Sequence, residues 1–310
     1  MVTSDFRVLG LDVGGTHCAA VLGDALGRIE SRVEWPSAVE RGPGSMLDDL
    51  TRHAKDLLAG RTDVTACGVA VGGPVDVRAG IVDAPPNLPG WDAVPLKALL
   101  EEALMISTRV EHDATACALA EARWGVGGKA RRLVYFTCGT GFGAGFVFDG
   151  EPYYGADGYP SDIGHVRLWD DGPTGYGEVG TIEGFCAASA LGRLAQWKFP
   201  DRWPEPPNPA RVASLAAGGD PAAQSVIEIN ASAVGRVCAL VGDLLHPDLI
   251  VLGSLAHYLG GEWVGQVRAA FEKCVHPAAR RACRIVGSGL GGAVQDLAAL
   301  VVGVRLVEGR

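Results

Sequence analysis

The chain has no C-x-x-C pair, no long run of apolar residues and no basic stretch, and each absence removes a class of protein. Its eight cysteines are scattered at positions 18, 67, 117, 138, 186, 238, 274 and 283. With no paired spacing, and no cationic leader in Met1 to Asp5, they read as reduced, mostly buried thiols and not as disulfides or a zinc site. No uncharged apolar run reaches the ~18 residues that a membrane-spanning helix needs. Lys and Arg number 27 against 36 Asp and Glu, a net charge of −9, which argues against a nucleic-acid surface built on a basic face. Charged residues are spread along the sequence, so no segment reads as disordered. A cytoplasmic protein with neither membrane nor nucleic acid as partner is expected.

What is present is a large apolar fraction, 48% of 310 residues, enough for one large or two modest domains. Short apolar strands alternate with amphipathic stretches, an α/β pattern. Strands are predicted around Val8, Cys18, Ile29 and Cys67, with helices over Met46–Leu58 and, opened by a proline, Pro95–Leu104. A strand over Thr108–Glu111 runs into His112-Asp113, and Ala114–Arg123 reads as a helix. Further on come strands at Leu133–Phe136 and Ala144–Phe148, an irregular proline-rich loop over Pro200–Pro209, and a long helix over Ala222–Leu245. The strand Leu249–Leu252 stops at Gly253-Ser254. The final helix, Leu297–Val307, reads as amphipathic.

Two glycine-threonine loops stand out: Asp12-Val13-Gly14-Gly15-Thr16 and Gly139-Thr140-Gly141-Phe142-Gly143. Each lies between two apolar strands. A strand, a tight glycine turn with a hydroxyl and a returning strand form a hairpin whose tip amides can wrap a phosphate. Glycine lets the backbone approach the anion without a Cβ clash. One such loop closes many ordinary hairpins; two, the first with an Asp suited to hydrated Mg²⁺, point to phosphate binding.

These loops resemble the phosphate 1 and phosphate 2 motifs of the actin, sugar kinase and heat-shock chaperone superfamily. Within it the chain resembles the ROK family of bacterial sugar kinases and sugar-responsive repressors. The likeness runs nearly end to end, through G-V-A-V-G-G-P-V-D at Gly68–Asp76, N-L-P-G-W at Asn87–Trp91, H-D-A-T at His112–Thr115, D-I-G-H at Asp162–His165 and H-P-D-L-I-V-L-G at His246–Gly253. It implies two actin-like (ribonuclease H-like) α/β domains flanking an ATP and sugar cleft. The expected boundaries are 1–113, completed by a C-terminal helix at about 295–310, and 114–294. A homodimer is the expected assembly.

The resemblance implies an ATP-dependent kinase with Mg²⁺. Asp113 matches the Asp that deprotonates a sugar 6-hydroxyl; by residue type alone it could equally cap the helix that follows. Asp12 would reach Mg²⁺ through water. Thr16 and Thr140 would bond phosphoryl oxygens with the amides of Gly14, Gly15 and Gly141, and Gly253-Ser254 would let the adenosine approach the backbone. The sugar contacts would be Asn87, His112, Asp113, Asp162, His165 and Glu183.

Three departures from the family pattern are visible. Asp162 stands where the family has Glu, withdrawing a carboxylate by about one C–C bond, and His112 stands where it has Asn. The third is the family's zinc-binding Cys segment. Here it reads Thr174-Gly175-Tyr176-Gly177-Glu178-Val179-Gly180-Thr181, with Thr174, Tyr176 and Thr181 in place of thiolates, so no structural zinc is expected. The first two changes lie in the sugar shell while the phosphate loops are intact, which suggests an altered acceptor: an aminosugar such as kanosamine or glucosamine, or a C7 cyclitol, with plain glucose still open. A repressor would carry an N-terminal winged helix, whereas here the first strand begins at Arg7. A non-catalytic sensor of sugar or ATP is the other rival.

Overall fold

The computed structural model describes residues 6–310. In chain order the long strands are β1 (Arg7–Val13), β2 (His17–Asp24), β3 (Ile29–Pro36), β4 (Val64–Val71), β5 (Ser107–His112), β6 (Arg132–Phe136), β7 (Ala144–Phe148), β8 (Leu249–Leu252) and β9 (Arg284–Gly287). The α-helices are α1 (Gly42–Leu58), α2 (Leu96–Leu104), α3 (Asp113–Trp124), α4 (Ile182–Cys186), α5 (Ala190–Lys198), α6 (Pro209–Ala217), α7 (Pro221–Leu245), α8 (Ser254–Cys274), α9 (Pro277–Ala282) and α10 (Val294–Val307).

The chain divides into two compact units. Unit 1 comprises 1–128, 150–161 and 293–310; unit 2 comprises 129–149 and 162–292. These limits differ from the expected 113/114 and 294/295 boundaries. Helix α3 stays with unit 1 because it lies against α10, where Arg123 makes two bonds to Glu308, at 2.9 and 2.8 Å.

In unit 1 the strands run β3-β2-β1-β4-β5, with β1–β2 and β2–β3 antiparallel and β1–β4 and β4–β5 parallel. In unit 2 the long strands run β7-β6-β8-β9, again an antiparallel hairpin continued by parallel strands. The same arrangement twice in one chain is an α/β fold of two related halves. In both units the parallel strands end on one side of the sheet, where open α/β sheets bind ligands.

Helix α10 corrects the expected amphipathic face: Val294 and residues 296–305 are all buried. It is enclosed by α3 and by β1 and β4, and glycines permit the approach. A Cβ on Gly68 would meet the Gly303 nitrogen at 2.2 Å, and one on Gly10 would meet the Leu300 nitrogen at 2.9 Å. Helix α7 has the length and composition to cross a membrane, but 67% of its apolar window is buried inside the protein. It is the core helix of unit 2, with Val234, Val237 and Val241 in the cluster that also holds Phe136, Phe142 and Trp263. Helix α8 is interrupted at Gly260, where φ is +72°. Seven of the cysteines are buried and all eight are free thiols.

Candidate active site

Unit 1 gathers its candidate residues at the carboxyl ends of β1, β4 and β5. Asp12, Ala70 and Glu111 share one register row, and Val13, Val71 and His112 share the next. The β1–β2 hairpin closes through a bond from the Gly14 N–H to the His17 carbonyl, at 3.2 Å. Ser37 pins the loop from below, its Oγ donating to the Gly14 carbonyl at 2.5 Å and its N–H to the Thr16 carbonyl at 3.0 Å. Thr16 is exposed. Asn87 lies directly over the loop: a Cβ on Gly15 would come within 2.5 Å of the Asn87 carbonyl oxygen. Only glycine fits there, so the loop and Asn87 hold each other in place.

Asp113 is the first residue of α3, and the capping position belongs to His112, whose side chain makes no capping bond. Asp113 is therefore not the N-cap. Its Oδ1 accepts the Ala114 N–H at 2.6 Å, and its side chain is 43% exposed, so the other oxygen is open to a reactant. His112, by contrast, is buried: its Nε2 lies 3.3 Å from Asp113 Oδ1 and its Nδ1 finds no partner among the described residues. Burial pushes the Asp12 carboxyl up to about 7, with the negative charges of Asp113 and Asp296 acting in the same direction and Arg32 opposing them. A poorly solvated carboxylate beside a second one is a donor set suited to a hard divalent cation, which takes oxygen ligands and keeps part of its water. Asp12 is the residue whose chemistry fits Mg²⁺ here.

Unit 2 gathers the second loop, Glu183 and the Asp162–His165 turn. Thr137 Oγ1 accepts the Gly143 N–H at 2.9 Å and the Gly139 N–H bonds the Gly141 carbonyl at 3.0 Å. Cys138 is fully buried with φ +46°, a left-handed conformation that turns the chain sharply into the loop. Gly253 and Ser254 lie beside it: their N–H groups bond the carbonyls of Phe136 and Thr137 at 2.8 and 2.9 Å, and Ser254 Oγ stands 3.4 Å from where a Cβ on Gly139 would be.

Glu183 Oε2 accepts the Phe142 N–H at 3.2 Å. Burial raises the Glu183 pKa, opposed by the Phe142 N–H and by Arg193, while the charge of Asp162 adds to the rise. Gly164 lies under Phe142, since a Cβ there would meet the Phe142 carbonyl at 2.4 Å. Asp162 and His165 flank this contact and are exposed.

The segment expected to lack zinc ligands is a hairpin. Thr174-Gly175 pairs with Glu178-Val179, and Tyr176 and Gly177 form the two-residue turn with φ +53° and +78°, the doubly left-handed conformation that suits such hairpins. Buried Thr181 donates to the Gly175 carbonyl at 3.2 Å and accepts the Gly184 N–H at 3.2 Å as the cap of α4. One hydroxyl thus ties hairpin to helix. Tyr176 lies against His165, ring centroids 5.2 Å apart.

Two residues beside the site escape sequence reasoning. Glu111 is fully buried; its Oε1 accepts the His112 N–H at 2.9 Å and its Oε2 accepts the Tyr154 hydroxyl. Burial raises its pKa, against the hydroxyl's opposing effect. Tyr154 is 43 residues away, a separation that no local pattern reveals. It belongs to the 150–161 segment of unit 1, which leads in the chain to Asp162.

With this geometry in view, comparison with known proteins is decisive: the ROK family model matches residues 8–301. The chain belongs to the ROK family. Among solved structures it is similar to a ROK family glucokinase from Streptomyces griseus in complex with glucose and AMPPNP, with a TM-score of 0.82, 26% identity and coverage of 96% of this chain and 99% of that one. Among curated relatives it is 30% identical to an N-acetylmannosamine kinase of Escherichia coli over 249 residues, 79% of this chain and 82% of that protein. It is 24% identical to a xylose repressor of Caldicellulosiruptor bescii, over 86% of this chain and 70% of that protein.

Proposed function

We propose that this ROK-family sugar kinase transfers the γ-phosphoryl group of ATP to the primary (6-) hydroxyl of a modified hexose. The observation that carries the reading is the placing of Asp113: an accessible carboxylate at the start of a helix, within reach of the charge of Asp12, on the sheet end that also bears the Gly14–Thr16 turn. Phosphoryl transfer asks a protein mainly for alignment, charge neutralisation and a proton acceptor. Asp113 takes the hydroxyl proton as the acceptor oxygen bonds to the γ-phosphorus and the bridging P–O bond to ADP breaks. Mg²⁺, held through water by Asp12, would neutralise phosphate charge. Thr16, Thr140 and the amides of Gly14, Gly15 and Gly141 orient the phosphates, and Gly253-Ser254 receive the adenosine. Asn87, Asp162, His165 and Glu183 bind the acceptor, while His112 acts through its contact with Asp113.

For the acceptor we favour an aminosugar such as kanosamine. Asp162 and Glu183 supply carboxylates that an ammonium satisfies more fully than a hydroxyl does. A coupled ADP-release assay over glucose, glucosamine, kanosamine, mannose, N-acetylmannosamine and a valiolone-type cyclitol tests it. A clear lead for glucose overturns the aminosugar reading and leaves the kinase reading standing; a lead for the cyclitol makes this a C7 cyclitol kinase. The presence of Asp12, Thr16, Asp113 and Thr140 together speaks for catalysis over a non-catalytic sensor, and ADP release on no acceptor would favour a sensor or a repressor. The working assembly is taken to be a cytoplasmic homodimer.

A further inference from the structure

The residues assigned above to ATP and sugar include Asp12, Asp113, Asp162 and Glu183, and not one lysine or arginine. A nucleotide triphosphate brings about four more negative charges, which one divalent cation neutralises only in part. The phosphate-binding loops, Gly14–Thr16 and Gly139–Gly143, are themselves without a cation. A positive group next to one of them has a use that the residues named so far leave unfilled.

Unit 2 has such a group in Arg193, one turn into α5. Its Nη2 donates to Ser189 Oγ at 3.2 Å, and Ser189 Oγ donates in turn to the Thr140 carbonyl at 2.6 Å. The neighbouring Ala188 N–H bonds the Gly139 carbonyl at 2.8 Å, so the start of α5 is fastened to the loop residue by residue. The guanidinium is half-buried, and its Nε is buried with no acceptor among the described residues. Glu183, itself bonded to the Phe142 N–H of the same loop, is the acidic group that acts on it. A helical side chain leans toward its own N-terminus, which directs Arg193 back to the loop and not outward. A guanidinium with an unused, desolvated donor beside a phosphate loop offers a planar, permanently charged fork to phosphate oxygens.

We propose that Arg193 is a nucleotide-binding residue, contacting the phosphate chain of the donor at the Gly139–Gly143 loop. The inference rests on the kinase reading for its biological meaning, but it is tested on binding alone. Titration calorimetry of the full chain with Mg²⁺ and no sugar would use AMPPNP, ADP and adenosine as probes, on the wild type, Arg193→Gln and Arg193→Lys. The expected result is a loss of about tenfold or more in affinity of Arg193→Gln for AMPPNP and ADP, with adenosine unaffected. Arg193→Lys should recover part of it, and added salt should narrow the gap between variant and wild type. Equal losses for adenosine and ADP would overturn the proposal by making Arg193 a base or ribose contact. Unchanged AMPPNP affinity in a folded Arg193→Gln would overturn it outright. If Arg193→Gln does not fold, Arg193→Met replaces it as the charge-removing variant, and unchanged AMPPNP affinity in that folded variant overturns the proposal too. Nucleotide binding without phosphorylation of any sugar would sink the kinase reading and leave this one intact.

Discussion

His112 Nε2 sits 3.3 Å from Asp113 Oδ1, two side chains consecutive in sequence turned toward each other at the junction of β5 and α3. The Ala114 N–H claims the same carboxylate oxygen at 2.6 Å. One oxygen of this half-exposed carboxylate is therefore held by the protein and the other is not, as the proposed role of base requires. Asp113→Asn should keep nucleotide affinity near wild type and lower kcat by ~10²–10⁴, the span of a general base. Steady-state kinetics paired with AMPPNP titration checks this, and a variant with more than half the wild-type turnover would remove Asp113 from the role.

Asp12 should oppose folding in the nucleotide-free protein at neutral pH. Its carboxyl titrates near 3.8 when unfolded and is pushed up to about 7 in the fold by burial. Between those values the folded state holds the extra proton, so stability falls as pH rises through this window and levels off above it. Asp12→Asn removes the effect. Its melting temperature should exceed that of the wild type at pH 8 and match it near pH 4, although the variant loses activity. A wild type that gains stability from pH 5 to pH 7 by as much as Asp12→Asn does would refute the assignment.

Tyr154→Phe should slow the enzyme without unfolding it. The hydroxyl bonds buried Glu111, whose other oxygen holds the His112 N–H, so its loss frees a link in the chain leading to Asp113. Removing one partner of a buried hydrogen bond costs about 1–3 kcal/mol. The expected readout is a fall in kcat of several-fold with the KM for ATP unchanged, and a double variant with Glu111→Gln no worse than the more impaired single one.

Protein purified without chelator should carry no stoichiometric zinc, because Thr174, Tyr176 and Thr181 offer a hydroxyl and packing where thiolates would be needed. Elemental analysis giving close to one zinc per chain would show another ligand set. In the same loop, Thr181→Ala should destabilise by about 1–2 kcal/mol, as loss of a helix cap does, measured by denaturant unfolding.

Much of this was legible from the sequence wherever a local pattern carried it. The two glycine loops, the β5–α3 junction and the long apolar α7 follow from strand and helix periodicity, and the motif order adds the residues around them. Sequence reasoning failed where a residue's setting is decided from far along the chain. Leu297–Val307 reads as amphipathic, yet the helix starts earlier, at Val294, and even its charged Asp296 and Arg305 are buried, Asp296 with Arg32 at 2.7 Å and Arg305 with Glu151 at 2.5 Å. Gly260-Gly261 broke the period that would have revealed α8. Arg193 looks like an ordinary charge on a helix face; what sets it apart is Ser189, four residues earlier and already committed to the Thr140 carbonyl.

The composition of unit 1 from three stretches of chain has a consequence for how the molecule is made. Unit 2 is drawn almost wholly from residues 129–292, so during synthesis it can condense as soon as its own stretch has emerged. Unit 1 cannot: β1 and β4 meet α10 through Gly10, Gly68 and Gly303, so strands made early wait for a helix much further along the chain, at Val294–Val307. Contacts this distant in sequence close slowly. The half that begins first is completed second, and until α10 arrives the faces of β1 and β4 around Gly10 and Gly68 lack the helix that buries them.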